Sequence, residues 1–273
     1  MEKKKILFVS QEIAPFVQKS EISNFTRRLP QSIQEAGKDI RVFTPKFGCI
    51  NERRHQLHEV IRLSGMNIII DDKDHPLILK VASIPSARLQ VYFIDNEEFY
   101  DRKNTLTDDE GVFYPDNDER SMFFCRGVLE TVKKLGWKPD VIYCHGWMAS
   151  LMPLYIKKIY NKDPHFSDSK VILSLYDEEI NINWDARFPE KLKFDGFDKK
   201  LIAEMQDTSY ENVTRTIFKY ADALSLGTEK IHPITKTLYD EAVCLKQDFV
   251  AEEFQTKTLS EFFDKVIEEE VLV

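Results

Sequence analysis

The chain has 273 residues, 42% of them hydrophobic and 31% charged, with a formal net charge of −8. That is enough apolar material to build a real core in one large α/β domain or two small ones, while the acidic balance argues against a nucleic-acid backbone as partner, and four scattered cysteines without a CxxC pair (Cys49, Cys125, Cys144, Cys244) argue against a disulfide framework or a metal centre. The apolar run after Met1-Glu-Lys-Lys-Lys is too short for a signal peptide and no run approaches the roughly 18 apolar residues of a membrane helix, so the expectation is a cytoplasmic protein.

Lys5 to Ser10 reads as a buried parallel strand. Ile22, Phe25, Leu29 and Ile33 recur at helical spacing, predicting a helix over 20–36 that Gly37 ends. Pro30 lies inside it and predicts a kink or break. Ile40 to Thr44 is a second strand, completing a βαβ unit. Residues 57–95 read as short extended runs, among them Val60 to Leu63 and Leu89 to Ile94, separated by turns at 71–74 and 85–87. Residues 96–116 read as a polar and aromatic loop. Asp116 to Leu135 is an amphipathic helix ended by Gly136, and Val141 to Cys144 a strand. Trp147 to Tyr160 reads as a helix, Val171 to Leu175 as a strand and 181–206 as irregular. A helix over 212–220, a strand at Ala223 to Leu226, a helix over Thr228 to Glu241 and an acidic amphipathic helix from about Leu259 to Glu269 complete the chain. The alternation predicts a doubly wound, mostly parallel α/β sheet. Nine glycines are few for a fold whose ligand-cradling turns generally use them.

Several segments together carry a family resemblance. Glu12-Ile-Ala-Pro15, followed by Leu29-Pro30, resembles the N-terminal motif of bacterial glycogen synthases and plant starch synthases, glycosyltransferase family 5. That motif runs Glu-x-x-Pro-x-x-Lys-x-Gly-Gly-Leu-(Ala/Gly)-Asp. Ala36 to Gly48, the run Asp116-Asn117-Asp-Glu-Arg120, Leu135-Gly-Trp-Lys-Pro-Asp-Val-Ile142 and Tyr220-Ala-Asp-Ala223 are similar to later family segments. The likeness spans about 4–240. It implies a Rossmann-like N-terminal domain of a GT-B glycosyltransferase over 1–240, with 241–273 a helical tail packed on that domain or on a partner. It also implies an ancestral transfer of glucose from ADP- or UDP-glucose to an α-1,4-glucan, without a metal or other cofactor.

The departures fall at the family's chemical positions. The family lysine aligns with Gln18, Lys19 being one position off. The two glycines align with Ser20 and Glu21, and the aspartate with Asn24. In the family the glycines let backbone N–H groups and a helix N-terminus approach phosphate. A Cβ at both positions obstructs that approach, and Glu21 adds negative charge, although it also complements its own helix dipole. The family's His-x-Asp-Trp-His becomes His145-Gly146-Trp147-Met148, and its Thr-x-His-Asn becomes Ser174-Leu-Tyr176-Asp177. Methionine donates no directed hydrogen bond and carries no charge. The candidate cleft residues are therefore Gln18, Lys19, Ser20, Glu21, His145, Trp147, Met148, Tyr176 and Asp177. His145 reads as a hydrogen-bonded structural residue, Trp147 as core or cleft wall, Tyr176 as a strand-end tyrosine. Asp177, Glu178 and Glu179 read as a solvated acidic loop. His55 and His58 have HxxH spacing but no supporting ligands.

In the family a second domain holds most of the donor, and this sequence runs out after the first domain and its tail. The expectation is a degenerate synthase-like protein that binds a glucan or a protein partner. Two alternatives stand beside it. One is half of an active glucosyltransferase, completed by a partner carrying the donor-binding domain. The other is an independent sugar- or nucleotide-binding module. No nucleic-acid or membrane partner is expected.

Overall fold

The computed structural model describes residues 3–178 and 182–269. In chain order the strands and helices are β1 (Lys5–Ser10), α1 (Glu21–Glu35), β2 (Asp39–Pro45), α2 (Glu52–His55), β3 (His58–Glu59), β4 (Met66–Ile70), β5 (Lys73–Ile84), β6 (Leu89–Asp95), α3 (Glu97–Tyr100) and α4 (Asn117–Lys134). They continue as β7 (Val141–His145), α5 (Met152–Leu154), β8 (Lys170–Leu175), α6 (Phe188–Phe194), α7 (Lys199–Glu204), α8 (Tyr210–Phe218), β9 (Ala223–Leu226), α9 (Pro233–Glu241), β10 (Leu245–Gln247) and α10 (Glu252–Glu268).

The sheet order is β10-β9-β8-β7-β1-β2-β6-β5-β3, with β4 paired to β5. The strands from β10 to β6 are all parallel, and β5, β3 and β4 add an antiparallel extension. The central parallel strands β1, β7 and β8 are mostly apolar and buried, as a sheet covered on both faces requires. After β1 the chain turns first to β2 and later returns to β7 on the other side of β1. That reversal opens a crevice at the carboxyl ends of β1 and β7, where open α/β sheets place ligands.

The helix α1 buries Ile22, Phe25, Leu29 and Ile33. Each such side chain contributes roughly 1.5–3 kcal/mol. Their sum exceeds the penalty of about 3 kcal/mol for an interior proline, and the helix runs across Pro30 without the break its sequence predicts. The β4–β5 hairpin turns through Asp71 and Asp72, both at positive φ, the backbone of a two-residue mirror-image turn.

Elsewhere the sequence expectation and the structure differ. Residues 61–63 form a turn rather than an extended run, with Ile61 exposed. The stretch from Trp147 to Tyr160 is a 3-10 turn, the short α5 and a π turn over Tyr155–Ile159, because Pro153 removes an N–H from the expected helix. The stretch expected to be irregular holds α6 and α7. The helix expected from Thr228 begins at Pro233, where a proline suits a first turn. The last helix begins seven residues before Leu259, at Glu252.

This helix, α10, lies against α1. Phe263 is buried with its ring edge on Tyr143 at 5.1 Å, and Lys38 meets Asp264 at 2.6 Å. No helix among the described residues is long and apolar enough to cross a membrane.

Candidate functional site

The crevice is built from the turns that follow β1, β7 and β8. Ser20 caps α1: its Oγ accepts from Ser23 N at 3.0 Å, and Ser23 Oγ accepts from Ser20 N at 2.7 Å. This reciprocal box uses donors that a helix N-terminus would otherwise present to an anion. The Ser20 hydroxyl also donates to Glu12 Oε2. Glu12 is anchored in turn, its carbonyl accepting from Thr26 Oγ1 at 2.6 Å. The α1 N-terminus is thus capped by the chain's own hydroxyls, with the Glu12 carboxylate beside the cap.

The open cleft beyond it measures about 430 Å³. Among the described residues its charged lining is Glu12, Glu21, Asp177 and Glu178, with no lysine or arginine. Leu106, Thr107, Gly111 and Phe113 close the opposite side. Gln18 and Lys19 are exposed on the other side of Ser20, in a neighbouring recess with Cys49 and Lys103. Lys103 is neutralised there by Asp109 at 2.8 Å.

Glu178 is half-buried and its Oε1 accepts from Trp147 N at 3.2 Å. Burial pushes its carboxyl up to about 7, opposed by the Trp147 N–H and reinforced by the negative charge of Glu12. Glu179 lies outside the described residues.

His145, Trp147, Met148 and Tyr176 come together; Tyr176 lines the cleft, while the other three lie beneath it. His145 is fully buried, stacked on Phe8 (5.9 Å between centroids) and edge-on to Tyr143 (4.2 Å). Its Nδ1 is 2.9 Å from the Tyr176 hydroxyl, and Nε2 has no hydrogen-bond partner among the described residues. Burial lowers its pKa to about 3, so the ring is neutral. Met148 is buried, its N–H donating to Gln11 Oε1 at 3.1 Å and its carbonyl accepting from Ser121 Oγ at 3.0 Å. Trp147 stacks on Trp184 at 4.5 Å. Tyr176 fits because Gly227 leaves room: a Cβ there would lie 2.4 Å from the tyrosine ring. Gly146 has φ +80° and a Cβ on it would meet Gln11 Cβ at 2.8 Å. The residues at these positions are therefore packed to one another.

The Asp116-Asn117-x-x-Arg120 run is structural in its contacts. Asp116 pairs with Arg102 through both oxygens. Buried Arg120 donates through Nε to Phe99 O at 2.7 Å and through a terminal nitrogen to Asn117 Oδ1. Burial lowers the Arg120 pKa to about 10. His55 packs against Phe16 and His58 is exposed. Among the described residues no group of three or more His, Cys, Asp or Glu side chains is arranged to hold a metal.

Sequence reasoning passed over Gln11, which ties the β1 turn to the β7 turn, and the 106–113 wall. Gln11 has no motif signal, and the wall lies in a loop whose approach to the sheet only the fold reveals.

The chain matches the family model described as the starch synthase catalytic domain over residues 5–229. A glycogen synthase from Chlorobium limicola is 38% identical over 227 residues, covering 81% of this chain and 45% of the relative. One from Chlorobium phaeobacteroides is 36% identical over 251 residues, covering 86% and 50%. The chain thus spans about half the length of these relatives. The catalytic domain of starch synthase IV from Arabidopsis thaliana, bound to ADP and acarbose, superposes with a TM-score of 0.67 at 17% identity, covering 82% of this chain and 45% of that one. That likeness establishes the fold, a Rossmann-like domain of a GT-B enzyme. With the family match covering most of its residues, this chain belongs to the glycogen and starch synthase family, glycosyltransferase family 5.

Proposed function

We propose that this chain is a degenerate synthase-like domain, acting in glycogen or α-glucan metabolism by binding a glucan or a protein partner rather than by transferring glucose. The observation that carries the reading is the cleft: among the described residues four acidic side chains line it without a lysine or arginine, beside a helix N-terminus capped by its own serines. A donor pyrophosphate is an anion. Two like charges 4 Å apart repel by roughly 1 kcal/mol in bulk water and about 4 kcal/mol at an effective dielectric constant of 20. Glu12, Glu21 and Asp177, with Glu178 about half ionised at pH 7, set this repulsion against a charge-assisted hydrogen bond of roughly 1.5–3 kcal/mol.

Lys19 favours a second reading. It is exposed one position from where the family carries its phosphate-binding lysine, so a donor-binding domain closing over the recess would meet a cation. On that reading the chain is half of a working glucosyltransferase, and the ADP and acarbose of the starch synthase IV structure indicate the ligands such a whole would take.

The test is a transfer assay on the purified chain with labelled ADP-glucose or UDP-glucose and a maltooligosaccharide acceptor. No incorporation above the protein-free blank is expected. Sustained turnover would overturn the reading. A maltooligosaccharide titration then separates the two binding roles, heat of binding indicating a glucan and silence a protein partner.

A further inference from the structure

The end of the sheet away from the cleft carries the opposite charge. The segments entering β1, β7 and β8 surround a cavity of about 280 Å³. Lys3 and Lys4 come from before β1, Lys138 and Asp140 from before β7, His165 and Asp168 from before β8. None of Lys3, Lys4 and Lys138 has an ion-pair partner among the described residues.

The walls are fixed by hydrogen bonds between the strand entries. Asp140 N donates to Lys5 O at 2.8 Å and Lys170 N to Asp140 O at 3.0 Å. Lys5 N donates to Asp140 Oδ2 at 2.7 Å, so that carboxylate is already engaged. Ser169 Oγ donates to Pro139 O at 2.6 Å. Asp163 holds His165 through its N–H at 2.9 Å and its Nδ1 at 3.0 Å.

A lysine just past the end of α4, such as Lys138, is explained by the helix dipole alone. Lys3 and Lys4 precede a strand and have no such reason. Gathered ammonium groups repel one another, and an anion between them relieves the repulsion. The carboxylates select among anions. Asp168 repels a bare ion but accepts from a hydroxyl. The volume lies just below the usual range of about 300–1,000 Å³ for ligand pockets, which suits a small ligand over a nucleotide.

We propose that this cavity binds a small phosphate monoester carrying hydroxyl groups. The phosphate, close to a dianion at pH 7, faces Lys3, Lys4 and Lys138, and a hydroxyl donates to Asp168. The site lies at the opposite end of the sheet from the family cleft and is independent of whether that cleft is degenerate.

The test is calorimetric titration of the full chain at low salt with ribose 5-phosphate, and with ribose, inorganic phosphate and sulfate for comparison. Ribose 5-phosphate is expected to bind more tightly than inorganic phosphate or sulfate, with no heat from ribose. The double variant Lys4→Ala/Lys138→Ala, in which both changed side chains are exposed, is expected to weaken ribose 5-phosphate at least tenfold with an unchanged circular dichroism spectrum. Asp168→Asn is expected to weaken ribose 5-phosphate and strengthen inorganic phosphate. Silence of the native chain, equal binding of sulfate and ribose 5-phosphate, or full binding by the double variant would each overturn the proposal.

Discussion

Glu178 and His145 are neighbours around one turn, and burial moves them in opposite directions, to about 7 and about 3. For Glu178 the folded value lies above the unfolded one. The folded state holds its proton more tightly, so stability is greatest in acid and is lost as pH rises from the ordinary glutamate range through 7. Glu178→Gln imitates the protonated form. It is expected to raise the thermal midpoint at pH 8 by roughly 2–4 °C, the size of a 1 kcal/mol effect in a domain of this size, and to change it little at pH 4. An equal shift at both pH values would refute the assignment. For His145 the folded value lies below the unfolded one, so its contribution is complete above the ordinary histidine range and is lost as pH falls through it toward 3. Its ring resonances are expected to stay constant between pH 5 and 8 by NMR; a midpoint within that window would show an accessible imidazole. Gly146 gives a third test. Restoring the family aspartate with Gly146→Asp places a side chain at φ +80° against Gln11. It is expected to cost about 1–3 kcal/mol by chemical denaturation, the price of strained backbone at such a site, rather than to rebuild a transfer site.

At the scale of elements, α1 both explains the cleft and tests it. Ser20→Ala removes the cap and the Glu12 partner together, and is expected to lower stability by about 1 kcal/mol with an unchanged denaturant slope. No loss would mean that Ser20 does not cap α1. The sequence made α1, β1, β2, α4, β7, β8 and β9 legible because each carries several turns of helical periodicity or a short run of apolar residues between turn signals. It did not reveal α6 and α7, with seven and six residues, because fewer than two turns give no period to read. Pro189, which looks like a breaker, instead opens α6. Three-residue β10 was equally unreadable. The family motifs located the cleft residues along the chain, but not their depth. That Met148 and His145 lie beneath the surface, while Glu178 faces the cleft, follows from tertiary packing around Gln11 and Tyr176. Phe263 on α10 was predicted only as part of a tail. Phe263→Ala is expected to cost about 3–5 kcal/mol, and a loss below 1 kcal/mol would show that α10 is not part of the domain's core.

The two cavities at the ends of the sheet differ in charge. Carboxylates line the cleft at the carboxyl ends of β1 and β8, where the fold usually receives phosphates, and lysines outnumber carboxylates in the cavity at the amino ends. Such an arrangement steers anions away from the cleft and toward the opposite face. Screening works over about 8 Å at physiological ionic strength, so the steering is strongest at low salt and the repulsion inside the cleft outlasts it. The central claim is that the cleft rejects a nucleotide sugar, and calorimetric titration of the purified chain with ADP-glucose tests it most directly. The account predicts no saturable heat at millimolar ligand. A micromolar dissociation constant would contradict it, and would favour the chain being half of a working synthase.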